Sequence, residues 1–337
     1  MDWQTLKSNA RRKFSGACRL CPVCDGVACA GEVPGMGGIG TGTSFRNNVN
    51  ALASYRFNLR TVHQQNQPNL ACKILGMDLS MPVIAAAIAG TALNMNNALK
   101  EEEYAKAVVG GCKQAGVIAM TGDGPKPQIW ETGLEAVKNA GGCGIPIIKP
   151  REVDQVVEMA KQAAEAGATA FGIDIDAAAL VNMSNAGQPV GPKSQEELAY
   201  IKQNTTIPFI VKGIMTPDDA QACQSAGVDA IVVSNHGGRA LDYTPGTAEV
   251  LPYIVEAVNG KMAILVDGGV RTGGDVLKML ALGAHGVLIG RPMAVAAVGG
   301  EGEGVSLYLE KIRAELTAAM ILTGSGDLSA ISGEILW

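Results

Sequence analysis

The chain is poor in histidine, with only His63, His236 and His285 among its 337 residues. Few imidazoles therefore compete for the role of a general base. It also lacks a basic patch. No basic run is longer than Arg11-Arg12-Lys13, and the formal net charge is −5, which argues against a nucleic-acid partner. Long hydrophobic runs are missing too. The longest, near Val83 to Leu93, is too short and too rich in Gly and Ala to span a bilayer. The start, Met1 to Phe14, is polar and has no apolar signal core. A soluble cytoplasmic protein is the expectation. Charged residues make up only 18% of the chain against 47% hydrophobic, so a sizeable core can form.

From residue 81 onward, short apolar runs alternate with amphipathic stretches. The runs Pro82–Ala87, Val117–Thr121, Ile145–Lys149, Ala170–Asp174, Phe209–Lys212, Ala230–Ser234, Ala263–Asp267 and Gly286–Ile289 read as strands. Helical stretches such as Val153–Ala166, Glu196–Gln203, Pro217–Ala226, Ala248–Val258 and Gly274–Leu282 lie between them. Several end in Ala-Gly or Leu-Gly (Gly116, Gly167, Gly227, Gly283), as left-handed C-caps prefer. Eight such units predict an α/β fold, a (β/α)8 TIM barrel over 81–337, with a doubly wound open sheet as the alternative. Residues 1–80 lack the rhythm. They hold a cysteine group, a glycine-rich loop (Gly31 to Gly42) and a helix around Asn47–Tyr55, and read as an N-terminal extension packed on the barrel. The irregular stretch Leu180 to Lys193 is expected over the mouth.

In such a barrel the loops after the strands carry function. Lys149, Asp174, Asp176, Lys212, Ser234, His236, Arg239, Asp267, Arg271 and Arg291 all lie at strand ends or just past them. In Ser234-Asn235-His236-Gly237-Gly238-Arg239, one side chain can take a proton and another can hold a carboxylate. Asp267-Gly268-Gly269-Val270-Arg271 and Gly290-Arg291-Pro292 follow the seventh and eighth strands. Glycines, free helix N–H groups and arginines there suit a phosphate; two ordinary tight turns are the plain alternative. Gly35 to Gly40 matches G-x-G-x-x-G but follows no strand, so a loop covering the site is the better reading. His285 reads as structural.

Val211-Lys212-Gly213, Ser234 to Asp242, Asp267 to Arg271 and Gly290-Arg291-Pro292 resemble the FMN-dependent α-hydroxy-acid oxidases and dehydrogenases. The resemblance runs from about Leu79 to the C-terminus and is strongest from Phe209 to Pro292. It implies FMN as cofactor and oxidation of a 2-hydroxy acid to the 2-oxo acid. His236 would take the proton and Arg239 the substrate carboxylate. Lys212 would stand beside the flavin ring, and Asp176 would orient His236, with a helix cap as the plain alternative. Ser234 would contact the flavin and Asp267 the ribityl chain. Gly268, Gly269, Arg271, Gly290 and Arg291 would lie at the phosphate, and Ala87, Ile88 and Ala89 beside the ring. A tetramer or octamer is implied. The chain departs from the family text in three places. No tyrosine stands in Pro34 to Gly40. No arginine follows Asp176 in Ala177 to Asn182. The family's Gln-x-Tyr is replaced by Ile147-Ile148-Lys149-Pro150. Half of the usual carboxylate clamp is therefore gone, and Lys149 is expected either at the flavin or substrate or as a plain strand-end lysine.

Cys18, Cys21, Cys24 and Cys29 are outside the family text. Their crowding suits a [4Fe–4S] cluster or zinc, with redox-active free thiols as the third reading. A cluster near the flavin would give electrons an exit to a redox partner protein. Two other functions stay open: another FMN barrel enzyme, such as a type 2 isopentenyl-diphosphate isomerase, and a non-catalytic flavin and cysteine redox sensor.

Overall fold

The computed structural model describes residues 1–180, 183 and 185–337, so Val181, Asn182 and Ser184 of the expected mouth segment lie outside the described residues. Helix α1 (Trp3–Phe14) opens the chain. The sequence reading assigns no helix there, yet Leu6, Ala10 and Phe14 at four-residue spacing form a buried stripe. Asp2 caps it, its carboxylate accepting the Thr5 N–H at 2.7 Å. The stripe packs on the C-terminal helical stretch Arg291–Thr323, which breaks at Gly300–Glu301 into two helices, and Trp3 stacks on Tyr308 of the second with 5.1 Å between rings. Helix α2 (Thr43–Ser54) begins four residues before the expected Asn47.

A hairpin follows, β1 (Cys72–Ile74) against β2 (Met77–Leu79). Its Ile74 and Leu79 belong to the same buried cluster as the barrel interior, so the hairpin plugs the end of the barrel away from the strand C-termini. The barrel itself is β3 (Val83–Ala85), β4 (Ile118–Thr121), β5 (Ile145–Ile148), β6 (Phe171–Asp174), β7 (Phe209–Ile214), β8 (Ala230–Val233), β9 (Ala263–Val266) and β10 (Gly286–Ile289). These eight strands close in sequence order, with β10 pairing β3, and every pair is parallel. The expected (β/α)8 barrel is the observed fold. Capping residues set the helix starts: Ser194, Thr216 and Thr272 accept from the N–H three residues on.

Two-residue alternation along the strands positions the site. Ile145 and Ile147, Ala170, Ile210, Ala230 and Val232, and Leu265 face the barrel interior. Their neighbours Ile148, Phe171, Val211, Ile231 and Val266 face the helices. The next inward positions at the C-terminal rim are therefore Lys149, Asp174, Lys212, Ser234 and Asp267. On the opposite half the same step reaches Ala86, Gly122 and Gly290. The rim is charged over β5 to β9 and nearly bare of side chains over β10, β3 and β4.

Candidate active site

Register brings the charged half together. Asp174 pairs with Lys212 across β6 and β7, and Ile148 pairs with Ile173, so Lys149 falls beside Asp174. Lys149 Nζ donates to Asp174 Oδ2 at 2.6 Å. Lys212 Nζ donates to Ser234 Oγ at 2.9 Å and to Asp174 Oδ1 at 3.3 Å, and stands 3.6 Å from Asp267 Oδ2. Burial works against charge on Lys212, but Asp174, Asp176 and Asp267 outweigh it and raise its pKa. Burial likewise opposes charge on Asp174, yet His236, Lys149 and Lys212 hold its carboxyl well below the usual range. Asp176 goes the other way. Burial raises it above the ordinary carboxylate range despite His236 and Lys212. The two acids are thus split, one fixed as an anion between ammonium groups and one able to gain a proton.

His236 sits at the centre. Its Nδ1 meets Asp176 Oδ1 at 2.9 Å and lies 3.6 Å from Asp174 Oδ1. With Nδ1 so engaged, Nε2 is the ring nitrogen left to meet a ligand. His236, Gly237 and Gly238 are all left-handed, at φ 59°, 63° and 78°. A Cβ on Gly237 would lie 2.7 Å from the Arg291 guanidinium, and one on Gly238 would lie 2.4 Å from the Phe45 backbone nitrogen. The two glycines of the motif thus allow the turn that presents the histidine, and α2 closes on its back. Asp174, Asp176 and His236 also offer three ligand atoms within 4.8 Å. A metal ion there would face the Lys149 and Lys212 ammonium groups, which already neutralise Asp174.

Arg239 donates to the Gly35 carbonyl and, at 2.9 Å, to Asn94 Oδ1. Arg291 donates to the carbonyls of Met36 (2.7 Å), Gly237 (2.9 Å) and Gly37 (2.7 Å), and its guanidinium lies 3.8 Å from the Phe45 ring centre. Arg271 donates to the Val270 carbonyl and reaches Cys24, while its Nε is buried without a partner. Burial pushes the Arg239 and Arg291 guanidiniums down, Arg291 further because Arg239 and Arg271 are near. The glycine-rich loop thus lies over the mouth, as expected, held there by two arginines. Gly268 and Gly269 are left-handed, and an added Cβ would lie 2.5 Å from Thr247 Oγ1 and 2.6 Å from the Asn48 carbonyl respectively. Close packing of α2 accounts for these glycines.

Lys149, Asp174, Asp176, Lys212, His236, Arg239, Asp267, Arg271 and Arg291 line one cavity of about 390 Å³. Lys212, Asp267 and Asp176 border it on one side, Ala87, Ile88, Ala89 and Gly290 on the other, and Arg271 and Arg291 at one end. Ser234 is reached through Lys212. Two polar atoms fit a bound cofactor. Asp267 Oδ1 and Arg271 Nε are buried with no hydrogen-bond partner, a state that costs about 1–3 kcal/mol per group unless a ligand relieves it. The helix from Arg291 has Gly290 as its N-cap and no side-chain cap; Pro292 carries no N–H and the Met293 N–H donates to the Gly290 carbonyl at 2.9 Å, so the Arg291 N–H is the group placed to meet an anion.

Several site residues escape a sequence reading. Asp123 pairs with Arg151 through two bonds of 2.9 and 2.8 Å and also accepts the Lys149 N–H, tying the loops after β4 and β5 together. Asn94 bridges Arg239, the Gly35 N–H and the Ala89 carbonyl. Asn48 holds Asn235 at 2.8 Å and the Thr247 N–H at 3.1 Å. Each acts through contacts distant in sequence. The cysteines Cys18, Cys21, Cys24 and Cys29 are free and half-buried on the α1–α2 connection, outside the cavity lining.

Comparison with known proteins gives one answer. The sequence profile of FMN-dependent dehydrogenases matches residues 35–193 and 182–337. A 2-hydroxyacid oxidase of Dictyostelium discoideum is 48% identical over 141 residues, 42% of this chain and 36% of that protein. An L-lactate oxidase of Lactobacillus jensenii is 33% identical over 317 residues, 83% of this chain and 74% of that one. A mandelate oxidase structure with a C4a-OH-FMN adduct superposes with a TM-score of 0.76 at 28% identity, covering 98% of this chain and 97% of that one. Among the described residues no helix is long and apolar enough to cross a membrane.

Proposed function

The chain belongs to the FMN-dependent dehydrogenase family, and from that premise we propose that it oxidises a 2-hydroxy acid to the 2-oxo acid. The observation that supports this most is the His236–Asp176 pair, at 2.9 Å, with Lys212 and Arg239 on the same cavity. The substrate loses two electrons and two protons. FMN, when bound, supplies the acceptor for the electron pair and for one of the two protons. His236 takes a proton at Nε2, and the Asp176 carboxylate stabilises the imidazolium that results. Lys212 lies buried where negative charge would develop beside the ring and needs no rearrangement to oppose it. Arg239 holds the substrate carboxylate in a charge-assisted pair, exchanging the Gly35 carbonyl and Asn94 for it. Ala87 to Ala89 would face the ring, Ser234 sets Lys212, Asp267 would meet the ribityl hydroxyls, and the backbone at Gly268–Gly269 and Gly290 with Arg271 would receive the phosphate, Arg291 joining them by exchanging a loop carbonyl for it.

The substrate class follows from what surrounds Arg239. Lys149 is bound to Asp174, so it does not offer a second anion site. Leu93, Ile129, Leu180 and Met183 also line the cavity. This favours a monocarboxylate with an apolar substituent over a dicarboxylate. We place the enzyme in the cytoplasm as a homo-oligomer, with residues 1–80 an extension of the barrel 81–337. Electrons leave to an acceptor, for which a redox partner protein is the candidate. The test is an anaerobic panel of 2-hydroxy acids with the 2-oxo product trapped as its hydrazone. Turnover of branched or aromatic monocarboxylates above malate supports the reading. Malate as the best substrate would reverse the assignment of the pocket, and no hydroxy acid oxidised would remove the activity itself.

A further inference from the structure

Beyond the flavin site, the four cysteines of the α1–α2 connection have no part in the chemistry above. Cys18 to Cys29 form neither helix nor strand. The segment is nevertheless pinned on all sides. Arg11 donates to the Leu20 carbonyl at 2.9 Å, Arg19 grips Glu32 through two bonds of 2.8 and 2.6 Å, and the Cys29 carbonyl accepts the Gly38 N–H at 3.3 Å. Leu20 is left-handed at φ 45°, a conformation that costs energy in a non-glycine residue unless the surroundings require it. The four thiols form no disulfide.

The positive side of the pocket meets this group. Arg271 lies 3.5 Å from Cys24 Sγ and 3.3 Å from the Cys24 carbonyl. Arg291 lines the same cavity as Arg271. Two arginines thus stand at one end of the cavity. One phosphate answers part of that charge, and an anionic centre built on the thiolates answers more.

We propose that Cys18, Cys21, Cys24 and Cys29 bind a [4Fe–4S] cluster on the outer side of Arg271, against the phosphate end of the flavin cavity. Spacing selects the cluster over zinc. Tetrahedral Zn–S bonds of about 2.3 Å bring thiolates to about 3.8 Å from one another. No three of these sulfurs lie within 4.8 Å of one another. A cubane places each thiolate on its own iron and holds the sulfurs farther apart. The run C-x2-C-x2-C also shares its middle cysteine, so it does not form two separate zinc knuckles, whereas three closely spaced cysteines suit three corners of a cubane. Cluster binding would fix the segment whose Gly35, Met36 and Gly37 carbonyls engage Arg239 and Arg291, so that metal loading and closure of the mouth become one folding event.

The experiment is metal and sulfide analysis of the anaerobically purified, FMN-loaded protein, with low-temperature EPR after dithionite. We expect about four irons and four acid-labile sulfides per chain, lost in Cys21→Ser and Cys24→Ser and kept in Cys72→Ser. Should those variants fail to fold, alkylation of the native wild-type protein is read by mass spectrometry. Protection of Cys18, Cys21, Cys24 and Cys29 together, alongside the counted iron, supports the cluster. One zinc per chain overturns it. So do four freely alkylated thiols after reconstitution with iron and sulfide. None of these readouts depends on hydroxy-acid turnover.

Discussion

Lys212 reaches the mouth of the barrel on a strand, while the Gly35 and Met36 carbonyls reach it on a loop. The two routes differ in what fixes them. On the strands, alternation and register place Lys149, Asp174, Lys212, Ser234 and Asp267 side by side with no freedom left. On the N-terminal arm, position depends on a few long-range bonds: Asp242 to the Thr41 and Ser44 N–H groups, the Gly238 carbonyl to the Ile39 N–H at 2.9 Å, and the two arginines. The rim and the tight turns that leave it at Asp176 and His236 therefore carry the groups that must be rigid for proton transfer and charge stabilisation. The arm carries the groups that can yield when a substrate carboxylate replaces a carbonyl on Arg239.

The largest expected effect strikes the rigid side. Replacing His236 by Ala should lower kcat by about 10²–10⁴-fold while leaving the flavin absorbance in place. Equal loss of flavin would mean that the residue holds the fold of the site and not the proton. Next comes Lys212→Met, which removes the ammonium shared by Asp174 and Asp267. Breaking such a buried pair typically costs about 3–5 kcal/mol, so the urea midpoint should fall clearly. An unchanged midpoint would show that Lys149 alone neutralises Asp174.

The pH profile sharpens the same side. Asp176 must be ionised to support His236, and burial has raised its pKa. Activity should be full above that raised value and fall as pH drops through it, earlier than an ordinary carboxylate would dictate. In Asp176→Asn the level should drop and that acid limb should disappear; persistence of the limb would assign it elsewhere. On the arm, Arg239→Lys keeps the charge but loses the paired donors, for a rise in KM of about 10–100-fold. Asp242→Ala should do least, raising KM a few-fold through a loosened Thr41–Ser44 turn, with kcat held. A fall in kcat there would mean that the arm also positions His236.

The same contrast explains what the sequence discloses. The barrel strands are legible because apolar runs end in polar residues at regular spacing, and the step from Ile210 to Lys212 or Val232 to Ser234 already points inward. The His-Gly-Gly-Arg turn is legible because it sets a base and an anion holder three residues apart around two glycines, whose missing Cβ atoms allow the close approach of Arg291 and Phe45. Asn48, Asn94 and the Asp123–Arg151 pair are not, since their partners lie 199 residues away for Asn48 with Thr247, 145 for Asn94 with Arg239 and 28 within the ion pair. Helix α1 is missed because its apolar stripe has only three members among polar neighbours. The phosphate-end arginines carry a further lesson. Arg291 reads from sequence as an anion holder, and in the structure its donors clasp the carbonyls of Met36, Gly37 and Gly237.

The central claim is that a proton leaves the substrate to His236 backed by Asp176 while its electrons pass to the flavin. Anaerobic rapid mixing with a turned-over 2-hydroxy acid tests it, following the flavin absorbance in the wild type and in His236→Ala. The account predicts prompt bleaching in the wild type and bleaching at least about 100-fold slower in the variant, at equal flavin content. Bleaching of the variant at the wild-type rate would contradict it.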